Sequence, residues 1–162
     1  MEIVLFEPEI PPNTGNVARL CAVTGTRLHL IEPLGFKLED RYLKRAGLDY
    51  WPHVQMDVWK DMDAFLADRA RTRPQARIVA SSSKKGGTPL HHFAFQPDDI
   101  LVFGPETRGL PEQVFELAQH RVRIPMLKGR GRCINLSTSC GIVLYQALAA
   151  SRAMEGEDWE PE

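Results

Sequence analysis

Three short stretches of this chain carry side chains whose types and spacing could organise a reaction. Asn13-Thr-Gly-Asn16-Val-Ala-Arg19 sets two amides, a glycine and an arginine within two turns of a would-be helix. Asn16 and Arg19 are one turn apart and can share a face. A guanidinium held among amides suits a phosphate or a developing oxyanion, although amides at a helix start also serve simply as caps. Gly104-Pro-Glu-Thr-Arg-Gly-Leu-Pro111 is the second stretch. Its glycines and prolines demand special backbone geometry, and Glu106 could either charge the start of the next helix or pair with Arg19 or Arg108. The third is Ile124-Pro-Met126 followed by Asn135-Leu-Ser137, where Asn135 and Ser137 read as caps of a helix whose free N–H groups favour a ligand acceptor. Arg121, Arg123, Lys128, Arg130 and Arg132 are interleaved with glycines just before it. They form either a solvated face or a phosphate-contacting segment. Strand-end loops facing a helix N-terminus are where α/β proteins bind cofactors.

Other chemistries are poorly supported. No Gly-x-Gly-x-x-Gly follows the first apolar run and no Gly-Lys-Ser/Thr is present, so the usual nucleotide fingerprints are missing. Ser81-x-x-Lys84 has the spacing of a β-lactamase motif without its companion motifs. His91 and His92 are adjacent, a poor arrangement for a shared metal. The three cysteines, Cys21, Cys133 and Cys140, are an odd number with no Cys-x-x-Cys, which argues against a disulfide framework or a zinc site. A reduced, cytoplasmic protein with no metal is expected. Met1 is followed by no charged-then-apolar leader, and no apolar run approaches the roughly 18 residues of a membrane span.

The elements that must position these residues alternate between strand and helix. Ile3–Phe6, Arg27–Ile31, Ile78–Ala80, Ile100–Phe103 and Arg121–Ile124 read as strands. The apolar runs suit buried parallel strands. Helices are expected from Asn13 to a cap at Gly25, over Glu39–Ala46, over Asp57–Arg71 with Trp59, Met62, Phe65 and Leu66 inward, over Pro111–Ala118, and over Leu136–Ala153. The pattern predicts an α/β fold with a mostly parallel sheet and flanking helices. A single domain is expected over residues 1–154, with 155–162 as an acidic, flexible tail. That tail holds five acids, so the preceding body carries 20 basic against 16 acidic side chains despite a net charge of −1. A mildly basic body is compatible with an anionic partner.

Taken in order, the three stretches resemble the three motifs of the SpoU branch of the SPOUT RNA methyltransferases. Glu7-Pro-Glu-Ile-Pro-Pro-Asn-Thr-Gly-Asn16 and Arg45-Ala-Gly-Leu-Asp49 are similar to the small single-domain YibK/TrmL-type members, which methylate the wobble ribose of tRNA. The resemblance runs from about Ile3 to Ala150. It implies a C-terminal deep trefoil knot, a homodimer, and S-adenosylmethionine bound by Ala80, Ser81, Gly104, Ile124, Met126, Cys133 and Leu136. It implies that Arg19 acts on the ribose 2′-hydroxyl while Asn13, Asn16, Glu106, Asn135 and Ser137 organise the site. Cys133 stands where the family usually has serine. A thiol is a weak donor, so contacts there are expected from the backbone.

Without an appended RNA-binding segment, two copies of Arg41, Lys44, Arg45, Arg123, Lys128, Arg130 and Arg132 would have to hold the anticodon loop of tRNA. Trp51 could stack on a base or sit in the core. The expected activity is methyl transfer to the ribose 2′-OH of nucleotide 34, cytidine or modified uridine. The alternatives are a 2′-O-methyltransferase for ribosomal RNA, and a non-catalytic RNA-binding or assembly factor on the same fold.

Overall fold

The computed structural model describes residues 1–39, 50–82, 86–131, 133–156 and 159. Arg41, Lys44, Arg45 and Arg132, most of the helix expected over Glu39–Ala46, and Lys84 lie outside the described residues. The elements run β1 (Glu2–Phe6), α1 (Pro11–Thr24), β2 (Arg27–Ile31), β3 (Met56–Trp59), α2 (Met62–Thr72), β4 (Ile78–Ser81), β5 (Thr88–Pro89), β6 (Ile100–Phe103), α3 (Glu112–Leu117), β7 (His120–Arg123) and α4 (Leu136–Ala150). Short 3₁₀ turns lie at Trp51–His53 and Leu90–His92.

Strand order in the seven-stranded sheet is β3-β2-β1-β6-β4-β7-β5, and the paired strands run parallel throughout. The chain lays β2 and β3 on one side of β1. It then returns twice, setting β6 between β1 and β4 and β7 between β4 and β5. The C-terminal loops of β1, β4, β6 and β7 are thereby gathered at one edge.

Side chains alternate across a strand, and the two faces sort accordingly. Ile3, Leu5, Leu28, Leu30, Leu101 and Phe103 face a core shared with Val17, Ala18 and Cys21 of α1 and Cys140, Val143, Leu144, Ala147 and Leu148 of α4. Val4, Ile31, Ile78, Ala80, Ile100 and Val102 face the opposite core, closed by Met62 and Phe65 of α2 and Val114 and Phe115 of α3. Burial pushes the Cys21 thiol up to about 12, so it behaves as a small core hydrophobe. Half-buried Trp51 packs against the first core, as does Trp159 beyond the last helix.

Several boundaries differ from those the sequence suggests. Asp57–Trp59 belongs to β3, and the helix starts only after Asp61, whose carboxylate accepts from Ala64 N at 2.7 Å. Trp59 fits both a strand and the helical stripe by spacing, but pairing with β2 decides for strand. The two-residue β5 is too short to show in sequence, and its Pro89 sits at the sheet edge, where proline is tolerated. α1 begins at Pro11, not Asn13, with Ile10 as an N-cap that makes no side-chain hydrogen bond. Prolines in the first turn lack donors that would otherwise need caps, which leaves the Asn13 amide for other work. Gly25 closes α1 in the left-handed conformation expected of it, at φ 63. β7 starts at His120 and α4 ends at Ala150. Among the described residues no helix is long and apolar enough to cross a membrane.

At the opposite end of β1 from the gathered loops, Glu2 is buried, 3% exposed. It accepts from His29 Nε2 at 3.2 Å, Arg69 Nη1 at 2.9 Å and Arg73 Nη1 at 2.8 Å. Trp59 Nε1 donates to His29 Nδ1 at 3.1 Å. An indole N–H can only donate, so the His29 proton faces Glu2 from Nε2. Burial alone would raise the Glu2 carboxyl, but the His29 hydrogen bond and the two guanidiniums outweigh it and hold it at about 2, against an ordinary 4.5. A carboxyl lowered in the folded state stabilises above its unfolded value, and that stabilisation disappears as pH falls from about 4.5 to about 2. Glu2→Gln is expected to cost roughly 3 kcal/mol at pH 7. Urea unfolding should also show the variant losing much less stability than the wild type between those two pH values.

Candidate active site

The site is built on loops that a parallel sheet collects at its C-terminal edge. β6 ends at Phe103, and the next residue has no room for a side chain. A Cβ on Gly104 would lie 2.2 Å from Leu110 N and 2.5 Å from the Gly109 carbonyl carbon. The loop therefore folds back on its own origin, with Gly109 at φ 70 and its N–H donating to Pro105 O at 2.9 Å.

That turn projects Glu106 across to the start of α1. Its carboxylate accepts from Glu9 N at 2.8 Å, Ile10 N at 3.2 Å and Asn13 Nδ2 at 3.0 Å. Asn13 is buried, and its Oδ1 accepts from Asn135 Nδ2 at 3.0 Å. Asn135 Oδ1 in turn accepts from Ser137 N at 2.9 Å, Ser137 Oγ at 2.8 Å and Thr138 N at 3.3 Å. One relay of polar contacts thus joins all three sequence stretches. The same two loops are tied a second time. Glu9 accepts from Thr107 N and Thr107 Oγ1, both at 2.9 Å. Those bonds, the backbone one first, hold the Glu9 carboxyl below its ordinary value. Arg108 pairs with Glu7.

The arrangement corrects three expectations. Glu106 pairs with neither Arg19 nor Arg108, because N–H groups of the 9–13 segment occupy it. Asn13 and Asn16 are not caps, since both lie inside α1. Asn135 is the cap of α4, Ser137 is not, and two first-turn N–H groups already donate to the Asn135 side chain.

Beside the relay lies a cleft of about 440 Å³, within the usual range of small-molecule sites. Of the residues that the family resemblance implies for the cofactor, Ser81, Gly104, Ile124, Met126, Cys133 and Leu136 line it. Ala80 does not. It is fully buried in the second core, because its side chain points to the α2–α3 face. Ile10, Phe103, Thr107, Arg108, Leu110 and Ser139 also line the cleft. Sequence offers no signal for the Glu9–Thr107 tie, since the partners are 98 residues apart.

Arg19 is not among the cleft residues. It is exposed on α1, its Nη2 3.2 Å from Tyr50 Oη and its Cζ 4.5 Å from the Tyr50 ring centre. Asn16, also exposed, lies one turn away. Lys128 and Arg130 are exposed and Arg123 half-buried, on the segment that leads from β7 past the cleft. Among the described residues no group of histidines, cysteines or carboxylates is arranged to hold a metal ion.

Residues 1–145 match the SpoU rRNA methylase family. The chain is 51% identical over 148 residues to a tRNA (cytidine(34)-2′-O)-methyltransferase of Methylovorus glucosotrophus, covering 90% of this chain and 92% of that one. It superposes with a TM-score of 0.86, at 45% identity, on a structure solved to explain 2-OH methylation of C/U34 on tRNA, covering 94% of this chain and 96% of that one. The SpoU methyltransferase AviRb of Streptomyces viridochromogenes, solved with AdoMet, shares the fold at TM-score 0.82 and 19% identity, covering 97% of this chain and 59% of that one.

Gly104→Ala is the substitution that tests the loop closure. The added methyl must displace main chain, so a loss of about 2–3 kcal/mol is expected. Thermal unfolding together with faster hydrogen exchange at the Gly109 amide would register it. An unchanged melting temperature would show that the 104–110 loop is not packed as described.

Proposed function

The chain belongs to the SpoU rRNA methylase family, and from that membership we propose that it transfers a methyl group from S-adenosylmethionine to the ribose 2′-hydroxyl of nucleotide 34 in tRNA. The single observation that carries this reading is the relay of Glu106, Asn13 and Asn135, set beside an apolar-walled cleft in a chain half identical to a tRNA (cytidine(34)-2′-O)-methyltransferase. Ribosomal RNA as substrate would use the same chemistry. Relatives 51% and 45% identical over nine-tenths or more of the chain are named for action on tRNA, and this favours tRNA.

The cleft suits the cofactor. Leu110, Ile124, Met126 and Leu136 offer apolar walls, while Thr107, Asn135 and Ser139 offer polar groups along the same space. Cys133 lines it as well, and main-chain contacts there do not depend on its thiol. S-adenosylmethionine supplies a methyl group already activated on a sulfonium. What the chain must add is alignment, which can contribute up to about 10 kcal/mol. Glu106 is a positioning residue: three N–H donors occupy its carboxylate, so it fixes the start of α1 and leaves the proton to another acceptor. Asn13 and Asn135 pass that order to the start of α4, whose first turn borders the cleft.

Arg19 is read as the group that stabilises the forming 2′-alkoxide. A guanidinium does not give up its own proton at working pH, so water or a substrate phosphate takes the hydroxyl proton. Because Arg19 stands outside the cleft of its own chain, a homodimer belongs to the same reading. Exposed Val23 on α1 and exposed Ile142 and Tyr145 on α4 support it, offering apolar surface on neighbouring helices. The same reading includes a C-terminal trefoil knot, which the twice-returning strand order supports, a cytoplasmic setting, and tRNA contacts from Arg123, Lys128 and Arg130.

The test is nucleoside mass spectrometry of tRNA from a host lacking the modification, incubated with the protein and labelled S-adenosylmethionine. A labelled 2′-O-methyl nucleoside mapping to position 34 is expected. Unlabelled tRNA beside labelled ribosomal RNA from the same host, treated in parallel, would overturn the substrate, and tight RNA binding without any label would overturn the activity. Arg19→Ala is expected to lower kcat by about 100-fold or more, while cofactor affinity changes little. Near-full turnover by Arg19→Lys would remove any special role for a guanidinium.

A further inference from the structure

One cation at the cleft is not used by the positioning relay. Arg108 lines the cleft beside Glu106 and Thr107, yet its side chain remains 59% exposed. Its partner is Glu7, on the loop that leaves β1. The two loops do not depend on this ion pair to stay together. Glu106 already binds Glu9 N and Ile10 N, and Glu9 already binds Thr107 twice. Glu7 itself is held with φ at 46, a left-handed conformation that residues other than glycine seldom adopt. Its N–H donates to Ile31 O at 3.0 Å. The Glu7 side chain is 21% exposed and Arg108 mostly so, and an ion pair open to solvent on one side adds little to stability, so stability is a weak account of this one.

The chemistry of the substrate supplies a better account. A ribose 2′-hydroxyl inside an RNA strand has a phosphodiester on either side, so any residue at the mouth of a site that receives this hydroxyl is near an anion. A guanidinium is the side chain best matched to phosphate, through its fork of donors. Glu7 presents a carboxylate to that fork when no RNA is there. We propose that Arg108 binds a backbone phosphate flanking the methylated ribose, and that Glu7 is an internal anion which the phosphate displaces. This inference rests on the reading of the cleft as an RNA ribose methylation site. It differs from a structural salt bridge in the sign of one substitution. If the pair is structural, losing either partner harms the protein alike. If Glu7 competes with RNA, neutralising it helps RNA to bind.

The experiment compares wild type, Glu7→Gln and Arg108→Ala in steady-state methylation of tRNA at saturating S-adenosylmethionine. It is paired with direct binding of a short single-stranded oligoribonucleotide across a salt series. Glu7→Gln is expected to lower KM for tRNA by about threefold at low salt, with kcat, cofactor affinity and melting temperature little changed. Arg108→Ala is expected to raise KM about tenfold and to reduce the salt slope of RNA binding by about 0.7, the value for one phosphate contact on a single strand. Glu7→Gln raising KM in parallel with Arg108→Ala would overturn the proposal, as would an unchanged salt slope in Arg108→Ala. Wild type that fails to methylate tRNA would defeat the functional reading. The oligonucleotide series would then still decide whether Arg108 meets a phosphate under competition from Glu7.

Discussion

The site depends on one carboxylate that is fully engaged. Glu106 takes two main-chain donors and one side-chain amide from the beginning of α1. A buried or half-buried carboxylate with fewer partners would be a liability, because unpaired polar groups away from water are costly. Here the donors come from a helix whose first residues are prolines, so they are grouped just ahead of the first turn and at Asn13. The result is a rigid junction between two segments far apart in sequence. Asn13 extends it to Asn135, and Asn135 fixes the first turn of α4. Loss of any link leaves a donor or an acceptor without its partner, which is why the members are better regarded as one unit than as separate contributors.

Topology makes that junction possible. Inserting β6 between β1 and β4 brings the loop of Glu106 next to the loop of Glu9. Inserting β7 between β4 and β5 delivers Ile124 and Met126 to the same edge. With the strands parallel, every one of these loops leaves from the C-terminal side, where ligands of α/β sheets generally bind. The opposite edge carries Glu2, ringed by His29, Arg69 and Arg73. That network secures the first strand through α2 and is well separated from the cleft along β1.

Charge at the cleft is arranged in two layers. The inner layer is the neutral and acidic relay, which orders the walls. The outer layer holds Arg108 at the rim, with Lys128 and Arg130 exposed on the neighbouring segment. Such a gradient suits a substrate whose backbone is anionic but whose reacting group is a neutral hydroxyl. Glu7 tempers the rim, and a competing internal anion favours partners that bring a phosphate in the right position over those that merely bring charge.

The sequence by itself determined the alternation of strand and helix, the Gly25 cap and the three stretches that resemble a known family. These are legible because they rest on local rules: period 2 or 3.6, capping, and the special freedom of glycine and proline. Motif resemblance also pointed to Ser81, Gly104, Ile124, Met126, Cys133 and Leu136, which line the cleft. What the sequence could not decide was pairing across long separations. Asp57–Trp59 became an edge strand because β2 was there to pair with it. Ala80 turned to the far core because strand alternation assigned it to that face. Glu106 found main-chain N–H groups instead of an arginine, and Arg19 stood outside the cleft of its own chain. Each of these outcomes depends on which segments the fold brings together, and a hydrogen bond across nearly a hundred residues leaves no periodicity in the chain that forms it.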